Sequence, residues 1–365
     1  MSKQFKVIDY VKDGLTDSEI IERCMQEASE VSGNKVILFD GKDYFIDRAI
    51  IVFDDTEIYI DGCTIKQNDF VFDNVFRGVN TIVDENDLYG FPLDVKPIKN
   101  VKIIGRNGAK IIGTSKPKIG YHTVLKEEQE MTGDFWGWRT HMVSLSLCEN
   151  VEIGGLSLSQ TMGWAITFEY GHNLYVHDLD INSNVKNGDG IDFRSGCYDC
   201  VVENISGYTS DDTVACSALR GVGIPVYPYK NYLYPSGPCA CLGREYNSDI
   251  YNVNIKNITT GGLCHGVICL AARGNQVYNV SIEDIHETCE GDRQSSVKIY
   301  TGYGDGYNPG DIHDISIKNV TSNISQYAVQ FAAEVKNVTV ENVVQNNPDG
   351  LRIYGAEGQE TVVIK

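Results

Sequence analysis

Basic side chains are scarce in this sequence: 31 Lys and Arg stand against 50 Asp and Glu, for a formal net charge of -19. That balance excludes a nucleic-acid binder, because no cationic excess is available to displace counterions from phosphates. It argues equally against a general attraction to anionic lipid. Long apolar runs are missing too. No stretch approaches the roughly 18 residues of a membrane span, and the opening Met1-Ser-Lys-Gln-Phe-Lys-Val-Ile-Asp9 has no apolar core of the kind a signal peptide needs. Eleven cysteines, an odd number, are therefore expected to be reduced thiols, and the expected location is the cytoplasm. No Pro/Ser-rich linker and no change of composition divides the 365 residues, which are expected to form a single domain, 1–365.

What the chain does have is a repeat. An alternating segment V-x-[IV]-x-[ND]-[IV] recurs at Val253–Ile258, Val280–Ile285, Ile315–Val320 and Val338–Val343, with looser copies at Val151, Leu174–Leu179 and Val201–Ile205. Alternation of apolar and polar residues reads as a strand with one buried face. Most copies lie about 23 to 27 residues apart, the period of a solenoid coil. One such strand cannot bury its face alone, but stacked copies build a column of Val and Ile. The Asn or Asp that closes each copy suits a bend. The regular leucines of leucine-rich repeats are absent, and propeller blades need a longer period. The expected fold is all-β, a single-domain right-handed parallel β-helix.

Ahead of the repeat, Asp17-Ser18 followed by Ile20, Ile21, Cys24, Met25 and Ala28 has helical apolar spacing behind an N-cap. A capping helix within about 10–32 would cover the open edge of the first coil. Two stretches break the repeat. Residues 68–134 show little repetition beyond Val101-Lys-Ile-Ile104. Residues 219–246, rich in Tyr, Pro and Gly, read as a loop inserted near the site. Aromatics in and beside these loops, Trp138 among them, either stack on sugar rings or pack the loops onto the coil.

The sharpest local feature is Asn187-Gly-Asp-Gly-Ile-Asp192 followed by Ser210-Asp-Asp-Thr213, about one coil later. Adjacent strands lie roughly 4.8 Å apart, which brings Asp189 close to Asp211 and Asp212. Crowded carboxylates repel one another, so one keeps its proton and the others do not. That is the pairing of general acid and base used in glycoside hydrolysis. Stacked aspartates can also hold Ca²⁺, and Gly-Asp-Gly is a common turn. His265, in Cys264-His-Gly266, can tune the acid pair. Lys298, in Val297-Lys-Ile-Tyr300, can grip substrate oxygens. Cys197, Cys200, Cys239 and Cys241 could offer four thiolates to zinc, but the spacing favours small buried hydrophobes.

In order and spacing, Asn187-Gly-Asp189, Gly190-Ile-Asp192, Asp211-Asp212, His265-Gly266 and Lys298-Ile299 resemble the family 28 glycoside hydrolases. These are the polygalacturonase-like enzymes of the pectin-lyase-like β-helix superfamily. The resemblance implies Asp211 as general acid, Asp189 and Asp212 as bases that activate water, His265 as the group sustaining protonation of the acid, and Asn187 as an orienting residue. It implies inversion at the anomeric carbon with no metal or other cofactor. Gly188 stands where the family has Thr, and Cys264 where it has Gly. Tyr300 stands where the family has the Lys that faces a uronate carboxylate. The substrate is then an oligosaccharide without a carboxylate at that subsite, or another basic residue such as Arg139, Arg194, Arg220 or Arg273 takes the role. Short pectin-derived chains attacked from the end are the first expectation. A polysaccharide lyase or glycosyl-transferring enzyme on the same scaffold, and a non-catalytic tailspike-like carbohydrate-binding protein, are the alternatives.

Overall fold

The computed structural model describes residues 2–86, 92–122, 126–133, 136–219, 237–241, 246–272, 274–302 and 306–365. The repeat copies are rungs of one long parallel sheet. Val253, Ile255 and Ile258 lie in register with Val280, Ile282 and Ile285. Those pair in turn with Ile315, Ile317 and Val320, and then with Val338, Val340 and Val343. Toward the N-terminus the same column continues through Cys200, Val202 and Ile205 to Leu174, Val176 and Leu179. All of these side chains point inward and are buried. Each buried Val or Ile contributes roughly 1.5–3 kcal/mol relative to an exposed one, so the column is the main source of cohesion.

The residue that closes each copy turns the strand. Asp178, Asn204, Asn257, Asp284, Asn319 and Asn342 all take left-handed backbone conformation, φ 52–59°, which Asn and Asp tolerate better than other residues with a Cβ. Their side chains then form a ladder along the coil axis. The Nδ2 of Asn257 donates to Oδ1 of Asn204 at 2.7 Å, and that of Asn342 to Asn319 at 3.1 Å.

After each bend the chain crosses to a second parallel sheet, whose central strands are Val143–Ser146, Ile166–Glu169, Ile191–Arg194, Val214–Ala218, His265–Ala271, Ser295–Tyr300 and Tyr327–Ala332. The two sheets face each other across a continuous apolar core that runs from Phe5 to Val343. The architecture is a right-handed parallel β-helix with an N-terminal capping helix.

That helix is Asp17–Ser29, inside the expected 10–32, and it buries Ile20, Ile21, Cys24, Met25 and Ala28. Its cap is Thr16 rather than Asp17 or Ser18. Thr16 and Glu19 form a reciprocal capping box, which frees Ser18 to accept the backbone N–H of Asp47. The weakly repetitive stretch 68–134 contains a full rung, Ile98–Arg106, paired with Thr56–Asp61 and Cys148–Gly154. It also contains two antiparallel excursions, Thr81–Val83 with Pro92–Val95 and Ile119–His122 with Glu127–Glu130. Of the inserted loop 219–246, residues 220–236 and 242–245 lie outside the described residues. Its segment Pro238–Cys241 packs beside Val95 and Tyr170. All eleven cysteines are free thiols. Cys197, Cys200 and Cys239 are buried among apolar neighbours, as the packing reading expects.

Candidate active site

The second sheet sets the geometry of the site through its register. Val143, Ile166, Ile191, Val214 and Val267 are successive inward partners. The residues two positions earlier are His141, Trp164, Asp189, Asp212 and His265, and the ladder extends to them. The N–H of Met142 donates to O of Trp164, Ala165 to Asp189, Gly190 to Asp212, and Thr213 to His265, at 2.8–3.0 Å. These five side chains therefore form a single column at the entry to the sheet, one per rung.

At the centre of the column, oxygens of Asp189, Asp211 and Asp212 lie within 4.8 Å of one another. Asp189 is buried. Three carboxylate oxygens at this separation can share a divalent cation or, equally, divide protons among themselves. The cluster fits this closely because Gly188 and Gly190 leave room for it. A Cβ on Gly188 would meet Oγ of Ser210 at 2.5 Å, and one on Gly190 would meet O of Thr213 at 2.5 Å. A Cβ on Gly188 would also lie 2.7 Å from the backbone O of Ser183, so any side chain there would displace the turn.

His265 closes the cluster on the C-terminal side. Its Nδ1 lies 2.6 Å from Oδ1 of Asp212 and its Nε2 lies 3.0 Å from Oε1 of Gln294. Gln294 Oε1 also accepts from Nζ of Lys298 at 2.6 Å, so both ring nitrogens face oxygen acceptors. Lys298 rests 4.7 Å from the centre of the Tyr300 ring. Burial holds its ammonium below the ordinary lysine range, partly offset by the charge of Asp212. Tyr300 packs against Ala215, Ile268 and Leu270, which places it on the outer face beside the site. Cys264 takes φ 48°. Burial, with Asp211 and Asp212 nearby, pushes its thiol up to about 12, so it is a neutral S–H facing the acids rather than a thiolate. Asn187, at φ 55°, keeps its Oδ1 buried and without a hydrogen-bond partner among the described residues.

On the N-terminal side the outward-facing side chains are covered rather than bathed in solvent. Ser144, Thr167, Asp192 and Arg194 are all nearly fully buried. His141 stacks on Trp164 with ring centroids 4.6 Å apart. The guanidinium of Arg194 lies 5.3 Å from the Trp164 ring and its Nε lies 3.6 Å from Glu169. Burial, reinforced by the charge of Arg194, pushes the His141 imidazole well below the usual histidine range. Trp138 is buried beside Arg77, whose guanidinium lies 5.4 Å from its ring, and Arg139 lies over Trp138 as well. Arg77 is on strand Phe76–Gly78, three rungs before the rung of Asp189.

The structure thus brings Asp189, Asp211, Asp212, His265 and Lys298 together and puts Tyr300 at their edge. Trp138 and Arg139 lie further along the same face. Arg273 and Arg220 lie outside the described residues. Sequence reasoning passed over His141, Trp164 and Gln294. The signal for the first two was present: each stands two residues before an inward Val or Ile that opens a rung, the position Asp189 and Asp212 also hold.

No protein-family model matches the sequence, and no curated protein matches it. Solved structures do. The fold is similar to that of an exopolygalacturonase from Thermotoga maritima, with TM-score 0.59 and 17% identity over 100% of this chain and 92% of that one. A polygalacturonase from Erwinia carotovora gives TM-score 0.60 and 17% identity over 100% and 96%. The tailspike of E. coli bacteriophage HK620, in complex with a hexasaccharide, gives TM-score 0.61 and 14% identity over 96% of this chain and 59% of its own. At these identities the likeness is one of fold.

Proposed function

We propose that this protein is a glycoside hydrolase that cleaves oligosaccharides with Asp189, Asp211 and Asp212. The observation that carries the reading is the placement of three carboxylates within 4.8 Å on adjacent rungs, with Asp212 bound to His265. Asp211 serves as general acid to the leaving oxygen. Asp189 and Asp212, facing each other across one rung spacing, hold and deprotonate the attacking water. No step of this scheme requires a metal or other cofactor. Lys298 and Tyr300, half-buried at the edge of the acids, are the groups offered to sugar oxygens and rings, whereas Trp138, Trp164, Ser144 and Thr167 are buried and line the covered flank. The covered N-terminal flank suits attack from a chain end. The free thiols support a cytoplasmic setting, in which short imported chains are the substrates.

The stereochemical course depends on the separation of the carboxyl groups: inverting pairs usually stand about 6.5–9.5 Å apart and retaining pairs about 5–5.5 Å. The 4.8 Å here bounds one oxygen from each carboxylate and not the separation of the carboxyl groups themselves. We take inversion as the reading, because the resemblance to family 28 implies it and a third carboxylate can seat the water.

The test is incubation of wild-type protein and Asp211→Asn with neutral and uronate-containing oligosaccharides. New reducing ends from wild type, reduced by about 10²- to 10⁴-fold in the variant, are the expected result. An unsaturated product absorbing in the ultraviolet would identify a lyase instead. Binding without turnover by both proteins would identify a carbohydrate-binding protein.

A further inference from the structure

Arg293 is the largest fully buried side chain among the described residues, 1% exposed, inside the coil behind the acids. Burying a guanidinium is costly unless its donors find acceptors; Nε of Arg293 has none among the described residues, so the compensation rests on the two Nη groups. Its Nη2 faces O of Gly261 at 2.6 Å, Oγ1 of Thr213 at 2.8 Å, Oγ1 of Thr260 at 3.1 Å and Oγ1 of Thr209 at 3.4 Å. Thr209 and Thr213 bracket the turn that carries Asp211 and Asp212. The two hydroxyls are 2.8 Å apart, and that of Thr209 donates to the backbone O of Asp211 at 3.1 Å.

The direction of these bonds follows from the arginine. A guanidinium can only donate, so each threonine must turn its hydrogen away from it. Thr213 then donates toward a neighbouring hydroxyl, and Thr209 toward the Asp211 carbonyl. The position after His265 is shaped by the same group: a Cβ on Gly266 would lie 3.1 Å from Nη1 of Arg293 and 2.6 Å from O of Ser296. Glu287, also buried, supplies the counter-charge and is itself held by Ser296, Ser322 and the backbone N–H groups of 323–325 at 2.7–3.1 Å. Burial lowers the Arg293 guanidinium to about 10, with Glu287 the first of the charges that offset it, so it stays cationic at neutral pH.

We infer that Arg293 is a positioning residue: a buried cation that, through the hydroxyls of Thr209 and Thr213, fixes the turn presenting Asp211 and Asp212. Its kinetic consequence rests on the glycosidase reading; its effect on the turn does not.

The experiment compares wild type with Arg293→Met, Arg293→Lys and the milder Thr213→Val by hydrogen-exchange mass spectrometry, and by kcat and KM on an oligosaccharide that wild type hydrolyses. Arg293→Met and Thr213→Val should raise amide exchange across 210–213 by about tenfold or more while rung 338–343 is unchanged. They should lower kcat by about 10- to 100-fold with KM within about twofold, as misplaced catalytic groups do. Arg293→Lys, which keeps a donor-only cation, should recover most of both. Should Arg293→Met fail to fold, Thr213→Val decides the matter. Wild-type exchange at 210–213 in folded variants, or a rise spread evenly over all rungs, would overturn the inference. Absence of any wild-type turnover would instead overturn the glycosidase reading, and the exchange result would still stand.

Discussion

At the scale of single residues, the site is a register effect. Asp189 and Asp212 were legible in the sequence because their spacing matches one coil and their turns are rich in glycine. His141 and Trp164 occupy the same position on earlier rungs, but a lone His or Trp before a four-residue strand has no local signature until the register is known. His141 gives a pH prediction. Its imidazole is held neutral, well below the usual range, by burial and the charge of Arg194. The unfolded chain takes up a proton near pH 6.5 and the folded chain does not. The neutral ring's contribution is thus complete above that pH and is lost as pH falls, at about 1.4 kcal/mol per pH unit. Urea midpoints measured from pH 7 to pH 5 should fall for wild type and fall less for His141→Gln. Parallel curves would contradict the assignment.

At the scale of elements, the rungs are readable because each of the four clear copies carries three inward aliphatics and a bend residue. The same logic explains what was not readable. Phe76–Gly78 is too short to show alternation. In His265–Ala271 both faces are buried apart from the first residue, so the outward positions Ile268 and Leu270 are apolar too. The bends themselves are testable. Asn257 is left-handed at φ 55° and donates to Asn204. Asn257→Ala should destabilise by about 2 kcal/mol, from the lost bond and the strain of a Cβ in that conformation. Asn257→Gly should cost about 1 kcal/mol, since only the bond is lost. Chemical denaturation separates the two, and equal losses would refute the role given to the backbone. On the outside of the coil, His172, Tyr198, Tyr251, Tyr278 and His313 stack at 4.8–5.0 Å, one ring per rung. Only the completed register could reveal that column, because its three tyrosines end on a histidine at either side and its members straddle the inserted loop.

At the scale of the whole molecule, cohesion comes from one apolar column rather than from cross-links. All eleven cysteines are free, and of these Cys289 is exposed while most are buried. A thiol reagent applied to the native protein should therefore modify Cys289 quickly, the half-buried Cys241 and Cys264 more slowly and the eight buried thiols only on unfolding, and reductant should leave the thermal midpoint unchanged. Rapid modification of several thiols, or a midpoint that falls with reductant, would contradict this picture. The acidic surface, with its net charge of -19, favours solubility and weighs against a long polyanion as substrate. Within that excess, three carboxylates gathered at the centre of the second sheet are assigned the chemistry. The most direct measurement is an anomer-resolved proton NMR time course on a hydrolysed oligosaccharide, run with wild type and with Asp189→Asn, Asp211→Asn and Asp212→Asn separately. The account predicts a single inverted anomer from wild type and loss of the reaction in all three variants, each still folded; an undiminished rate in any one of them would contradict it.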